Sequence, residues 1–246
     1  MRNRREILLT VDGLKVRRSA RFQLSVPYLT LTPERVICVV GANGSGKTTL
    51  IESVVGLITP TSGRVKVRGK LAHTDAPEVR RDVGYIPDDD TWLIPELTAR
   101  EYFALLASVQ TLAGSKKRMV MRACELADDL MFDSFDQQLG SLSHGNKKKV
   151  QIIAGLMHEP HFIIVDELRN GLDPLAIIRA ENLLKQKQMS GASILAATHD
   201  LWWAERFAEE IVMIRRGQVV VNDYTKNIIE SSGSLEASFM EQYAHA

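Results

Sequence analysis

The chain of 246 residues is long enough to bury a core, as one large domain or two small ones. Its 31 Lys and Arg residues nearly balance its 30 Asp and Glu residues, and the net charge of +1 gives no reason to expect nucleic acid or an anionic membrane surface as a partner. No uninterrupted apolar stretch approaches the ~20 residues of a membrane-spanning helix, and no signal-peptide pattern opens the sequence. Any membrane function would therefore depend on a partner chain.

The first part of the chain is predicted to form short strands. The segment ILLTVDGLKVRRSARFQLSVPYLTLTPERVICVV has alternating and apolar runs, and we expect turns at Asp12-Gly13, Pro27 and Pro33-Glu34. Cys38 lies in the last apolar run and is predicted to be a small buried hydrophobe, while neither it nor Cys124 has metal-ligand spacing. Further on, PTSGRVKVRGK predicts a hairpin and VGYIP a strand.

A glycine-rich loop joins a predicted strand to a predicted helix in VVGANGSGKTTLIESVVG. The spacing of Gly41, Gly46, Lys47 and Thr48 fits the phosphate-binding pattern G-x-x-x-x-G-K-[ST]. Backbone N–H groups of such a loop and the positive end of the helix dipole bind phosphate, Lys47 would reach the β and γ phosphates, and the Thr48 hydroxyl would ligate Mg²⁺. The predicted nucleotide contacts are Gly41, Ala42, Asn43, Gly44, Ser45, Gly46, Lys47, Thr48 and Thr49.

A helical insert is predicted after this loop. Thr98 and Glu101 form a capping box, and apolar residues at helical spacing follow as far as residue 138. Strands then alternate with helices again, which predicts a mostly parallel sheet that closes with a terminal hairpin in EIVMIRRGQVVVND. We therefore expect one α/β domain over residues 1–246, with a β subdomain and core at about 1–90, a helical subdomain at 91–145 and the rest of the core at 146–246.

Two carboxylates end the apolar strand FIIVDE, where ligands of parallel sheets bind. Asp166 suits Mg²⁺ binding through a water molecule. Glu167 would orient or deprotonate the water that attacks the γ-phosphate, which makes it the candidate catalytic base.

A second candidate anion site lies at the start of the helix in LGSLSHGNKKKVQIIAG. Because the phosphate loop already serves one nucleotide, we expect Ser143 and Gly145 to cap the nucleotide of another subunit. The alternative is an ordinary serine N-cap. Residues 147–149, all lysine, are predicted to form a solvated helix face.

Six motifs occur in the order that the ABC (ATP-binding cassette) ATPases have them. The sequence resembles that family in GANGSGKTT (Walker A), GYIPD (Q-loop), LSHGN (signature), FIIVDE (Walker B), NGLD (D-loop) and ATHD (switch histidine). The resemblance covers nearly the whole chain and implies a P-loop NTPase fold with a RecA-like, mostly parallel core, an N-terminal antiparallel β subdomain and a helical subdomain.

The resemblance also implies roles and partners. ATP and Mg²⁺ would bind between two ATPase subunits arranged head to tail, with a homodimer favoured over a heterodimer. His199 would contact the γ-phosphate as a catalytic residue beside Lys47 and Glu167, and Asp173 would couple the two sites. The chain would drive a separately encoded integral membrane subunit from the cytoplasmic face, in export, without nucleic acid. A soluble ABC ATPase acting on ribosomes or DNA is the alternative.

Departures from the family pattern concern several positions. The Q-loop residue is Asp88, a shorter carboxylate that can still reach Mg²⁺ through water. In the signature, His144 stands where glycine is usual and Asn146 where glutamine is usual, and Leu168 stands where many members have proline. No aromatic residue occupies the usual adenine-stacking position, so we consider Arg17 or Arg18 for adenine stacking, with a solvated arginine pair as the alternative.

Trp202 and Trp203 follow the switch histidine directly. We expect one of them to face water. That residue would be either a partly exposed neighbour of a core tryptophan or a docking residue for a partner.

Overall fold

The computed structural model describes residues 7–75, 79, 81–110 and 116–244, and the remaining parts of the predicted 1–246 domain lie outside them. The strands are β1 (Leu9–Arg17), β2 (Gln23–Leu31), β3 (Val36–Val40), β4 (Ser62–Val67), β5 (Lys70–Leu71), β6 (Val83–Ile86), β7 (Phe162–Asp166), β8 (Ser193–Thr198), β9 (Glu210–Arg215) and β10 (Gln218–Tyr224). The helices are α1 (Lys47–Val55), α2 (Ala99–Gln110), α3 (Lys116–Asp129), α4 (His144–Leu156), α5 (Pro174–Met189), α6 (Leu201–Phe207), α7 (Thr225–Ser232) and α8 (Leu235–Ala244).

The strands form a single mixed sheet in the order β5-β4-β1-β2-β10-β9-β3-β8-β7-β6. Strands β6, β7, β8, β3 and β9 pair in parallel and make the core, as predicted. Strands β1, β2, β4 and β5 pair antiparallel and make the N-terminal layer. The carboxyl ends of β3, β7 and β8 therefore meet at one edge of the sheet, where the phosphate loop, Walker B and the switch histidine follow them.

Hydrophobic side chains cover both faces of this sheet. Along β3, Val36, Cys38 and Val40 belong to the cluster packed under the helices α2 to α6. Ile37 and Val39 belong to a second cluster, which packs with α1 and the N-terminal strands. Because both faces of β3 are covered, this strand is continuously apolar in sequence, and the buried state predicted for Cys38 is confirmed.

Two of the three predicted N-terminal turns are wrong, since β1 runs through Asp12-Gly13 and β2 runs through Pro27. Gly13 has a positive φ of 59°, and the β1–β4 register shifts between Asp12 and Lys15. On its other edge β2 meets β10 only at Ser25, so the missing N–H of Pro27 breaks no ladder there.

Two further predictions concern the ends of elements. The capping box is confirmed, because the Thr98 N–H lies 2.8 Å from Glu101 Oε2 and the Glu101 N–H lies 3.2 Å from Thr98 Oγ1. The hairpin of β9 and β10 is also confirmed, but it is not terminal, because α7 and α8 follow it.

Two glycines set the distance between α4 and the sheet. A Cβ atom on Gly155 would lie 2.8 Å from the Tyr85 carbonyl oxygen and 2.9 Å from Ile86 Cγ1. A Cβ atom on Gly84 would collide with the Gly155 carbonyl oxygen. The absence of side chains at this contact therefore lets α4 pack closely against β6.

Candidate active site

The phosphate loop, residues 41–49, rests against the hairpin of β9 and β10. A Cβ atom on Gly41 would collide with the Ile214 carbonyl oxygen, and the Gly217 N–H donates to the Ser45 carbonyl over 2.9 Å. Gly44 and Gly46 have φ values of 76° and 118°, which side chains rarely adopt. These glycines leave the loop backbone free to approach a phosphate closely.

Lys47 and Glu167 meet at the floor of the site. The Lys47 ammonium donates to the Gly41 carbonyl over 2.9 Å and lies 3.4 Å from Glu167 Oε1. The other oxygen of Glu167 lies 2.9 Å from His199 Nδ1. The structure thus brings the three predicted catalytic side chains together, with Glu167 in contact with both the Lys47 ammonium and the His199 imidazole.

Glu167 has an unusual backbone for a side-chain-bearing residue. Its φ of 47° is left-handed, and its N–H donates to the Ala197 carbonyl over 2.9 Å. Such a conformation costs of order 1–3 kcal/mol and persists only where surrounding structure fixes it. Here it turns the Glu167 side chain out of the line of β7 and toward Lys47 and His199.

Asp166 is 1% exposed at the end of β7, and burial raises its pKa to about 6. Neither carboxylate oxygen makes a hydrogen bond of good geometry with a described residue, although the Thr48 hydroxyl lies close enough to oppose part of the rise. An unpartnered buried carboxylate beside a hydroxyl fits a hard divalent cation such as Mg²⁺. The described residues contain no cluster of three or more His, Cys, Asp or Glu ligands, so phosphate and water oxygens would complete the coordination.

A cavity of about 550 Å³ opens above these groups. It is lined by Arg18, Phe22, Asn43, Gly44, Gly46, Lys47, Thr48, Thr49, Asp88, Glu167, Asn170 and His199. Most of the predicted ATP-binding, metal and catalytic residues therefore line one cavity. Those that do not line it are Gly41, Ala42, Ser45, Ser143, Gly145, Asp166 and Asp173.

Phe22 is a lining residue that sequence reasoning missed. Its ring lies beside the phosphate loop, where a Cβ atom on Gly46 would come within 3.1 Å of Phe22 Cζ. Arg18 also lines the cavity, and its guanidinium pairs with Glu52, while Arg17 does not line it. The sequence signal that could have indicated Phe22 is its position: it is an aromatic residue four positions after Arg18 and immediately before β2.

The Q-loop segment, residues 87–90, is held by side chains from other elements. Asp88 accepts from Asn170 Nδ2 over 2.8 Å, and the Asp89 carbonyl accepts from the Gln151 amide. Asp90 forms a 2.7 Å ion pair with Lys147, which lowers the pKa of the Asp90 carboxyl. Asp88 therefore faces the cavity with one oxygen already bonded.

Lys148 contradicts the prediction of a solvated lysine face. Its side chain is almost fully buried, and its ammonium donates to the Pro87 carbonyl over 2.7 Å and to the Asp166 carbonyl over 3.2 Å. Burial lowers the pKa of Lys148 to about 8, against the attraction of nearby Asp88 and Asp166. Lys147 and Lys149 are also partly buried, the latter with its ammonium 3.1 Å from the Met131 carbonyl.

The signature residues begin α4 away from the cavity. Ser143 is the N-cap, with its hydroxyl 3.3 Å from the Asn146 N–H, and it is exposed. A Cβ atom on Gly145 would come within 2.9 Å of the Gly171 carbonyl oxygen. Asp173 caps α5 through hydrogen bonds of 3.0 and 2.9 Å from the N–H groups of Leu175 and Ala176.

The tryptophan pair divides as expected. Trp203 is 3% exposed and stacks on Phe207 at 4.8 Å, whereas Trp202 is 62% exposed with the Arg206 guanidinium 4.2 Å from its ring centroid. The prediction that one of them faces water is confirmed. A docking role for Trp202 stays a prediction.

Known proteins share this arrangement. The ABC transporter family model matches residues 24–170. The ABC-type transporter ATP-binding protein EcsA of Bacillus subtilis is 32% identical over 215 residues, covering 87% of this chain and 86% of that protein. The phosphonates import ATP-binding protein PhnC of Trichormus variabilis is 32% identical over 200 residues, covering 78% of this chain and 82% of that protein. A solved ATP-binding subunit of an ABC transporter superposes with a TM-score of 0.85 at 29% identity, over 95% of this chain and 98% of that one.

The chain therefore belongs to the ABC transporter family of ATP-binding subunits, and it is an ATPase. Its mixed sheet and helical layers are those of the P-loop ABC fold. Within the described ranges, no helix is both long and apolar enough to cross a membrane.

Proposed function

We propose that this chain is the ATP-hydrolysing motor subunit of an ABC transporter, which closes head to tail on a second subunit around ATP. The observation that carries the proposal is the separation of two anion-binding helix ends. The phosphate loop borders the cavity with Lys47, while the start of α4, with exposed Ser143 and half-buried Gly145, does not line it. In the proposed dimer, each ATP site would combine the phosphate loop of one subunit with the start of α4 of the other, so two copies would complete two sites.

Within each site the chain's own groups divide the chemistry. Lys47 would leave its contact with Glu167 to bind the phosphates, and Thr48 and Asp166 would hold Mg²⁺, which neutralises charge on the phosphate oxygens. Glu167 would orient or deprotonate the attacking water, with His199 fixed beside it. Asp88 would reach the metal through water, and Arg18 or Phe22 would stack on adenine.

A membrane subunit is the second partner we propose. An apolar groove of about 220 Å³ lies beside the Q-loop segment, lined by Leu57, Tyr85, Trp92, Tyr102, Leu106 and His158 among others. Trp92 is 53% exposed at its edge. A short helix from the cytoplasmic face of a membrane protein fits such a groove, and would hold the chain peripherally at that face. Export stays the predicted direction of transport.

The Glu167→Gln variant tests the proposed dimer. The amide keeps the shape of the side chain and removes the base, so hydrolysis should slow by ~10²-fold or more. ATP should then persist, and size-exclusion chromatography with light scattering should show a dimer with ATP and Mg²⁺ and a monomer without them.

The double variant Glu167→Gln, Ser143→Arg is the matched control. Ser143 is exposed and does not line the cavity, so the monomer should bind ATP normally while the dimer is lost. A Glu167→Gln protein that binds ATP and stays monomeric at high concentration would rule out the homodimer. A dimer that survives Ser143→Arg would show that the signature residues are not at its interface.

A further inference from the structure

The last described helix reaches the phosphate loop. Helix α8 packs on α6, and the Leu235 N–H at its start donates to Glu205 Oε2 over 2.6 Å. Near its end, the Arg215 guanidinium of β9 bonds to the Gln242 carbonyl. These contacts fix both ends of α8 against the α/β core.

Tyr243, near the end of α8, uses its hydroxyl both as an acceptor and as a donor. The hydroxyl accepts from the Ala42 N–H over 3.1 Å and donates to the Ile214 carbonyl over 3.0 Å. Its ring stacks on Phe239 with centroids 4.1 Å apart and planes 16° apart. A single side chain therefore joins the first turn of the phosphate loop to β9.

The two groups that Tyr243 joins are the ones that define the loop's position. Ile214 provides the carbonyl against which Gly41 packs without a Cβ atom, and Ala42 provides the carbonyl that accepts from the Ser45 N–H over 3.1 Å. The turn of residues 42–45 must stay in register with β9 for the following N–H groups to converge on one phosphate.

We propose that Tyr243 is a positioning residue for ATP binding, which holds the phosphate loop in its binding-competent form through Ala42 and Ile214. It does not line the nucleotide cavity and acts only through the loop backbone. Because these two contacts fix the backbone at the first turn of the loop, we expect Tyr243 to lower the entropy cost of ordering the loop when ATP binds.

Removing the hydroxyl alone is the sharpest test. Tyr243→Phe keeps the ring that stacks on Phe239 and deletes both hydrogen bonds. Because a net hydrogen bond contributes roughly a factor of five in an equilibrium constant, the dissociation constant for ATP measured by calorimetry should rise about five- to tenfold. The KM for ATP should rise by a similar factor, whereas kcat should stay within about twofold, since Glu167 and His199 are untouched.

Two control variants separate positioning from stability. Tyr28→Phe removes a hydroxyl from a tyrosine that is 56% exposed on β2, and it should leave ATP affinity unchanged. Phe239→Leu disturbs the stacked pair and keeps the Tyr243 hydroxyl. It should therefore lower the melting temperature and leave the dissociation constant for ATP nearly unchanged. A Tyr243→Phe protein with wild-type or tighter ATP affinity, or with kcat reduced and KM unchanged, would overturn the proposal.

Discussion

The phosphate loop and the Q-loop segment border the same cavity but are held in different ways. The phosphate loop is fixed mainly through its own backbone, by glycine conformations, by the hydrogen bond from Gly217 in the turn between β9 and β10, and by the Tyr243 hydroxyl at Ala42. The Q-loop segment is fixed by side chains that arrive from α4 and from the D-loop, including Lys148, Gln151 and Asn170. The difference teaches that one half of the site can be recognised from local sequence, while the other depends on residues far away along the chain.

The largest expected effect comes from Lys148→Met. Methionine fills a similar volume but leaves the buried Pro87 and Asp166 carbonyls without their donor and the Asp88 and Asp166 carboxylates without a nearby ammonium. We expect these losses to exceed the gain from removing a buried charge, so the free energy of unfolding should fall by about 3 kcal/mol. Urea denaturation of the nucleotide-free chain would measure it. The matched Lys149→Met variant removes one contact of a partly exposed lysine and should cost about 0.5 kcal/mol. Equal losses in the two variants would mean that the buried ammonium is not what holds the Q-loop segment.

A somewhat smaller effect, of opposite sign, is expected for Asp166→Asn. The pKa of Asp166, raised to about 6 in the folded chain, lies above its ordinary value near 4, so the folded chain binds more protons in that interval. The wild-type free energy of unfolding therefore falls as pH rises from about 4 to 6, and the amide avoids this loss. Without nucleotide or Mg²⁺, Asp166→Asn should be more stable by about 2 kcal/mol at pH 7.5 and equal to wild type near pH 4. Urea titrations at the two pH values give the answer, and an equal stability at pH 7.5 would contradict the assigned cost of burial.

The smallest effect is expected for Lys147→Gln, which removes the ion pair between Lys147 and Asp90 of the Q-loop segment. Lys147 and Asp90 are both partly exposed, and pairs of this kind contribute between about 0 and 1 kcal/mol. The pKa of Asp90 should return toward its ordinary value, as NMR titration of that carboxyl would show. A loss of stability as large as that of Lys148→Met would remove the distinction between buried and exposed contacts within this segment.

The sequence predicted the phosphate-loop half well for a physical reason. Gly41, Gly46, Lys47 and Thr48 are close in sequence because one strand, one loop and one helix start make the whole binding surface. Asp166 was found because it ends an apolar strand, and parallel strands carry such residues to a common edge. His199, which directly follows β8, was identified through the resemblance to the ABC family.

The other half could not be predicted in the same way. Hydrophobic-periodicity analysis treats every lysine as polar. The methylene chain of Lys148 nevertheless crosses a buried region, and its ammonium reaches a carbonyl 61 residues away in sequence. Phe22 was missed because its distance from the loop is set by the turn before β2. Helices α7 and α8 were missed because short helices at the end of a domain owe their stability to packing rather than to sequence pattern.

The glycine contact between α4 and β6 has a consequence for how this protein tolerates change. Neither Gly84 nor Gly155 lines the nucleotide cavity, and neither has a side chain that could bind or react. Alanine at either position would push α4, which Ser143 caps, away from the sheet. In saturation mutagenesis, substitutions at these two glycines should therefore abolish activity as often as substitutions at Lys47. A single added methyl group, far from any reacting atom, could thus inactivate the protein.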